Sequence, residues 1–571
     1  MEFSAICHSM DKRYCFPIKK GSFLIRIKTK KGDMKKVVLH YRDKYLPVQY
    51  VDTRKTIVME KVATDRYNDY YETVVDIDVI CLRYFFELED NNGLIKYYGN
   101  YFFYDEELNN NDRMFDCPQN LREEEMFEIP KWAQNKVVYQ IFPSRFATDK
   151  VVDEKLWYKA PIHFMDQLGG NLRGIINHLD HMKELGIEVL YMTPIFRSNS
   201  THKYDTIDYY EIDPSFGTKE DLKELVNKAH EMGIRVILDG VFNHSSPEFF
   251  AFKDVMEKED KSKYKDWYYI DGFPLKMKRG EKPNFLCFAY YYGMPKLNLQ
   301  NPETAEYFIN VGKYWIDEVG IDGWRLDVGD EVSHSFWKQF RKAIRATKKD
   351  ALIIGEIWHY AGDFLEGDEW DTVMNYQFYL STIDFVADEK ITATEFLEDM
   401  GFMRGNLHPD CYNTLLNLID SHDTARFMHL CGNKLSKLKL AAALQLLNPG
   451  MPMIYYGDEF GMKGGPDPDC RRGMLWDESR QNRNVFEWYR SLIAIRKSHP
   501  SVTVGDNIYT ETDDENGIII QTREYEDDRL TLVFHGKDGK VILDELAGKM
   551  NLLTGKVFDG CVKGYETLVL Q

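Results

Sequence analysis

Cysteine is scarce and unpatterned in this chain. The nine residues Cys7, Cys15, Cys81, Cys117, Cys287, Cys411, Cys431, Cys470 and Cys561 are odd in number and never spaced as CxxC. Such a set supplies neither a disulfide frame nor a structural zinc site, so most of these thiols are read as small core residues. No apolar run is long enough to cross a bilayer, and the opening MEFSAICHSMDKRYCF lacks the apolar stretch of a signal peptide. A cytosolic location is the expectation. Positive charge is the minority, and 73 Lys and Arg against 92 Asp and Glu leave a net charge of -19. That balance argues against a nucleic-acid backbone or an anionic membrane as partner and favours a neutral or small ligand. There is no HExxH pair and no GxSxG elbow, and GGNLRG (169–174) lacks the Lys-Ser/Thr that completes a phosphate cradle. Internal repeats and low-complexity tracts are also missing.

What is present is a soluble globular composition, 44% hydrophobic and 29% charged, in 571 residues, too many for one core. About three domains are expected. Residues 1–117 carry short alternating runs such as SFLIRIKTK, KKVVLHY and LRYFFELED between Gly, Asn and Asp turns, the pattern of a β-sandwich. A charged segment with two prolines, 118–131, reads as a linker. From there to residue 499, short apolar runs alternate with helices of 3.6 period. VVYQIF, EVLYMTPIF, RVILDGVFN, GWRLDV, LIIGEI, TVMNYQF, TLLNLID and MPMIYYGDE make eight strands, and the count predicts a (β/α)8 barrel within a multidomain α/β chain. An open doubly wound sheet is the competing reading. An aromatic-rich insertion at about 245–300, too long for a βα loop, predicts a small subdomain after the third strand. Residues 500–571 return to strand alternation and predict a second β-sandwich.

The fourth strand, GWRLDV, places Arg325 and Asp327 on one face and Trp324, Leu326 and Val328 on the other. A buried ion pair seldom stabilises a core, so this one marks either a tolerated bridge or a functional site. Asp327, Glu356 and Asp423 fall at the C-terminal ends of three strands, the rim where barrels carry chemistry. Apolar neighbours Leu352 to Gly355 should push Glu356 toward its protonated form, while Arg325 should keep Asp327 ionised. Two carboxyls with split affinities for a proton suit acid and nucleophile roles. His244, His422, Asp239 and Asn243 share that rim. A zinc site is the rival explanation for them, and no close ligand spacing supports it.

At these residues the sequence resembles a known family. DGVFNH (239–244), GWRLD (323–327), GEIWH (355–359) and DSHD (420–423) are similar, in order and spacing, to the four conserved regions of the α-amylase superfamily, glycoside hydrolase family 13. HKYDT (202–206), MPKLN (294–298) and the stretch 450–477 resemble its cyclomaltodextrinase, neopullulanase and maltogenic amylase group. The resemblance implies a retaining α-glucan hydrolase acting on α-1,4 bonds of cyclodextrins, short maltooligosaccharides or pullulan. Asp327 would be the nucleophile, Glu356 the general acid/base and Asp423 the third carboxylate. Arg325, His244, His422 and Tyr204 would orient the reacting glucose, Glu331, Trp358 and His359 would meet the acceptor side, and Asp467 and Arg471 would hold the next sugar. The same site used for transglycosylation is the alternative, and a non-catalytic α-glucan binder is a third reading. No cofactor is required on this reading. The group's calcium-binding Asp in a GGDL segment is Asn171 here, and RFATDKVVDE matches poorly, so the departures weigh against calcium. Asp330 stands where the group usually has Asn, a change expected to alter acceptor preference. A homodimer, with one chain's N-terminal sandwich walling its partner's site, is the implied assembly.

Overall fold

The computed structural model describes residues 1–46, 54–100, 102–109, 111–119 and 128–571, so part of the expected linker, 120–127, lies outside the described residues. The chain divides into two compact units. In the first, one sheet runs Cys15–Lys19, Ser22–Lys30, Asn68–Asp76, Glu60–Thr64. A second is built around Met34–Asp43 and Cys81–Asp90. Phe23, Ile25 and Ile27, alternate residues of Ser22–Lys30, enter a core with Leu39, Tyr84 and Phe86. The reverse face is also buried, contrary to simple alternation, because this unit includes 395–412 as well as 1–128 and 362–368. On that face Arg26 Nε donates to Glu72 at 2.7 Å, and Arg404 Nη2 donates to the other Glu72 oxygen at 2.7 Å.

The second unit contains a closed barrel of eight parallel strands in chain order. They are β1 (Val138–Ile141), β2 (Val189–Met192), β3 (Arg235–Gly240), β4 (Gly323–Leu326), β5 (Leu352–Gly355), β6 (Thr372–Asn375), β7 (Leu416–Leu418) and β8 (Met451–Tyr455). Apart from the first residue of β3 these strands are buried throughout, which is why they read as continuous apolar runs. Helices supply the outer layer by amphipathic spacing. The stripe from Leu172 to Leu185 is buried as expected, but the helix breaks at His178 into α1 (Leu172–Asn177) and a second piece, Leu179–Leu185. In α2 (Lys219–Glu231) the Thr218/Asp221 capping box forms, and Gly233, at φ 78°, ends the turn that follows. Where β5 meets its cover, residue 355 must be glycine. A Cβ there would lie 2.1 Å from the Trp370 ring.

The insertion folds into helix Phe250–Lys258 and loops joined by single bridges, Tyr268 to Leu297, Ile270 to Phe285 and His244 to Lys296 among them. The C-terminal residues form a six-stranded sheet around Ile518, Ile520, Val533 and Leu568, with a separate two-stranded sheet. Among the described residues no helix is long and apolar enough to cross a membrane.

Candidate active site

Parallel register decides which carboxylates meet. Asp239 of β3 pairs with Arg325 of β4, and Leu326 of β4 pairs with Gly355 of β5. The next residues along, Asp327 and Glu356, therefore stand side by side just past the strand ends. The ladder carries on through them, since Asp327 N–H donates to Gly240 O at 3.1 Å and Glu356 N–H to Leu326 O at 3.0 Å. Neighbouring strands lie about 4.8 Å apart, which fixes the scale of that separation.

Arg325, with no exposed surface, is the hub. Its Nη1 donates at 2.9 Å to Asp327 Oδ1 and to both oxygens of Asp239, and its Nη2 pairs with Glu356 Oε2 at 2.8 Å. Three buried carboxylates thus share one guanidinium, with Tyr191 O–H adding a bond to Asp239 Oδ2 at 2.7 Å. This changes the expectation for Asp327. Burial, and next to it the Glu356 charge, raise Asp327 well above the ordinary carboxylate range, and burial lifts Asp239 to about 6. One cation cannot neutralise three buried anions, so the empty cluster keeps a proton as a group. The expectation that Arg325 keeps Asp327 ionised meets competition, because Asp239 and Glu356 claim the same guanidinium.

Glu356 is held by three N–H donors or cations. Besides Arg325, Val328 N–H donates to Oε2 at 2.9 Å and the Trp358 indole to Oε1 at 3.2 Å. Val328 reaches that position at φ 46°, ψ 45°, a left-handed conformation that a β-branched residue adopts only under strain. Strand alternation ends there, and Val328 lines the cavity instead of the face it was expected to share with Trp324.

Asp423 does not sit on a strand end as expected. It stands five residues beyond β7, and the loop is pinned from below. Arg471 Nε donates to His422 O at 2.8 Å, and Arg471 Nη2 to Asp423 Oδ1 at 3.3 Å. His422 is wholly buried, and burial drives its pKa far below the usual value, so the ring is neutral. Gln140 Nε2 donates to its Nδ1 at 2.9 Å, leaving the proton on Nε2, which lies 3.1 Å from Asp423 Oδ2. His244 is likewise neutral, pushed down to about 3 by burial, and its Nε2 has no hydrogen-bond partner among the described residues. The His244 ring borders the cavity, whereas His422 Nε2–H donates to the Tyr204 hydroxyl at 2.5 Å.

These groups surround a cavity of about 530 Å³. Of the residues expected in it, Tyr204, His244, Asp327, Glu331, Glu356, Trp358, Asp423, Asp467 and Arg471 line it. Arg325 and His422 lie immediately behind the lining. Tyr204 stacks parallel on His422 at 5.6 Å and donates to Asp239 Oδ2 at 3.1 Å. Glu331 pairs with Lys296 at 3.1 Å, and Asp467 with Arg471 at 2.9 Å. Trp358, half exposed, stacks on Tyr376 at 3.9 Å. His359 is the exception. Its side chain is 71% exposed and faces Asp330 at 3.8 Å outside the lining. Asp330, singled out for its expected effect on acceptor preference, also lines the cavity, as do Phe164, His202, Phe288 and Met294, which were not selected as site residues. His202 and Met294 lie inside the quoted segments HKYDT and MPKLN, and Phe288 inside the aromatic insertion, whereas nothing in the sequence marks Phe164.

The residues near Asn171 do not fit a calcium ion. Asn171 Oδ1 caps α1 by accepting from Gly174 N–H at 2.8 Å, and its Nδ2 donates to Asp149 Oδ1 at 2.7 Å and Thr148 Oγ1 at 3.3 Å. An N–H already occupies the place where a cation would meet Asp149, and calcium takes only oxygen ligands.

Comparison with known proteins bears on the family and the fold. The family pattern described as "Alpha amylase, catalytic domain" matches residues 140–477, and "Alpha amylase, N-terminal ig-like domain" matches residues 1–119. The chain is 40% identical over 565 residues to a cyclomaltodextrinase of Thermoanaerobacter pseudethanolicus, covering 97% of this chain and 96% of that protein. It is 39% identical over 572 residues to neopullulanase 2 of Thermoactinomyces vulgaris, covering 98% and 96%. A solved cyclomaltodextrinase structure superposes with a TM-score of 0.92 at 36% identity, over the full length of both chains.

Proposed function

Because the chain belongs to the α-amylase family and is a glycoside hydrolase, we propose that it opens cyclodextrins and cuts short maltooligosaccharides, and pullulan with them, at α-1,4-glucosidic bonds with retention of configuration. The observation that carries this reading is the pair Asp327 and Glu356, adjacent across β4 and β5 and bound to the two terminal nitrogens of one arginine. Retaining glycosidases use two carboxyls about 5–5.5 Å apart, close to the spacing of neighbouring strands.

Asp327 attacks the anomeric carbon while Glu356 gives a proton to the departing glycosidic oxygen, and a glucosyl ester forms on Asp327. Glu356, now a carboxylate, takes a proton from water, which attacks the same carbon from the face the first leaving group left. Asp239 and Arg325 act from below. Their charges let the cluster settle its proton on Glu356 and leave Asp327 ionised before the attack. Neutral His244 donates a hydrogen bond to a sugar hydroxyl, His422 shares its Nε2–H between the Tyr204 hydroxyl and the sugar, Tyr204 offers its ring face, and Asp423 accepts from two hydroxyls. Asp467 and Arg471 meet the sugar on the non-reducing side, and Glu331 and Trp358 border the acceptor.

Chromatography of products from β-cyclodextrin, pullulan and starch tests the substrate class. Faster turnover of β-cyclodextrin than of starch is expected. Starch as the preferred substrate would contradict the reading.

A further inference from the structure

Beneath the loop that carries Asp423 lies a second carboxylate pair, to which the reaction above gives no role. Asp420 follows β7 and Asp458 follows β8, both are at most 2% exposed, and burial, with the Asp420 charge next to it, holds Asp458 well above the ordinary carboxylate range. Each has one oxygen satisfied elsewhere. Asp420 Oδ2 accepts from Phe427 N–H at 2.6 Å, and Asp458 Oδ1 accepts from Arg426 Nη1 at 3.0 Å. The remaining oxygens, Asp420 Oδ1 and Asp458 Oδ2, are buried without a hydrogen-bond partner among the described residues. Two such acceptors satisfy each other only if one carries a hydrogen.

The surrounding charges permit one proton and no more. Arg426, sandwiched against Tyr455 and Tyr456 at 4.2 and 4.9 Å, is the one cation among the described residues that bonds to the pair. Glu459, the next carboxylate, is occupied by Tyr139 O–H at 2.7 Å, His181 Nε2 at 2.8 Å and Gly457 N–H at 2.7 Å. Tyr489, from the helix packed behind, faces the pair with a neutral, unpartnered hydroxyl. With a proton between Asp420 and Asp458, the pair and Arg426 sum to zero charge. Without it, an uncompensated anion is buried.

The network leads upward to the sugar site. Arg426 Nε donates to Cys470 O at 3.0 Å, Cys470 Sγ donates to His422 O at 3.2 Å, and the adjoining Arg471 grips both His422 O and Asp423. We propose that Asp420 and Asp458 share a single proton, and that this pair with Arg426 is the positioning device that locks the His422–Asp423 loop to the Arg471 loop. The positioning role rests on the function assigned to Asp423, whereas the shared proton does not.

Asp458→Asn tests it, because an amide supplies permanently the hydrogen that the acid would supply. Three readouts are expected. The infrared difference spectrum, wild type minus variant, near neutral pH contains the carbonyl stretch of a protonated carboxyl. The variant melts higher than wild type near neutral pH, by a margin that shrinks toward about pH 4, where free carboxyls protonate. Its kcat/KM stays within about threefold of wild type, while Asp458→Ala, which leaves the Asp420 charge without its donor, loses about 100-fold in kcat. Absence of the infrared band, or a lower melting temperature for Asp458→Asn near neutral pH, overturns the shared proton. Both are read without substrate, so neither depends on the reaction proposed above. A folded Asp458→Asn whose kcat falls as far as that of Asp458→Ala overturns the positioning role.

Discussion

Arg325 serves three masters, and the charge state of the site follows from that. Asp239, Asp327 and Glu356 all contact it, and Asp327 is raised well above the ordinary carboxylate range by burial and by Glu356. A nucleophile must be ionised, so the acid limb of kcat/KM should lie well above the about 3.9 of a free Asp. The pH-rate profile checks this, and a limb at the ordinary carboxylate value would contradict the shared-cation picture. Asp327→Asn should lose about 10⁴-fold or more in kcat with little change in melting temperature. Residual turnover above that level, measured on β-cyclodextrin, would mean that another group attacks. The sequence made Arg325 and Asp327 legible as a pair because strand alternation is a local rule. It could not reveal that Asp239 and Glu356 claim the same guanidinium, since that depends on the register between strands.

At the scale of elements, most strands and helix caps were readable from short-range pattern. Thr218 with Asp221 and the buried stripe from Leu172 to Leu185 are where periodicity places them. What escaped was set by packing between elements: the break at His178, the left-handed Val328, and the displacement of Asp423 into a loop beyond β7. Asn171 ties two elements together at a boundary. Its carbonyl caps α1 while its amide holds Asp149 of the loop after β1. Excess EDTA should therefore leave the melting curve unchanged, whereas Asn171→Ala should cost about 1 kcal/mol through the lost cap. A fall in melting temperature on chelation, reversed by calcium, would contradict this. Val328 gives a third test, because relief of its strain, about 1–3 kcal/mol, outweighs the backbone entropy that glycine adds, about 0.5–1 kcal/mol. Val328→Gly should melt no lower than wild type yet turn over more slowly, as the N–H aimed at Glu356 loosens. A variant with full activity would show that this N–H is dispensable.

For the whole molecule, eight βα units predicted a barrel and the structure has one, closed and in chain order. Division of the chain was less legible. The first compact unit takes 362–368 and 395–412 from the middle of the sequence, and nothing in the local composition of those segments announces it. Turnover joins these scales, because it needs a sugar in the cavity, an ionised Asp327 and a protonated Glu356 together. The direct measurement is to trap the intermediate in Glu356→Gln with an activated glucosyl fluoride and map the labelled peptide by mass spectrometry. One glucosyl adduct on Asp327 is the predicted result. An adduct on Asp239 or Asp423, or free product of inverted configuration with no adduct, would contradict the account.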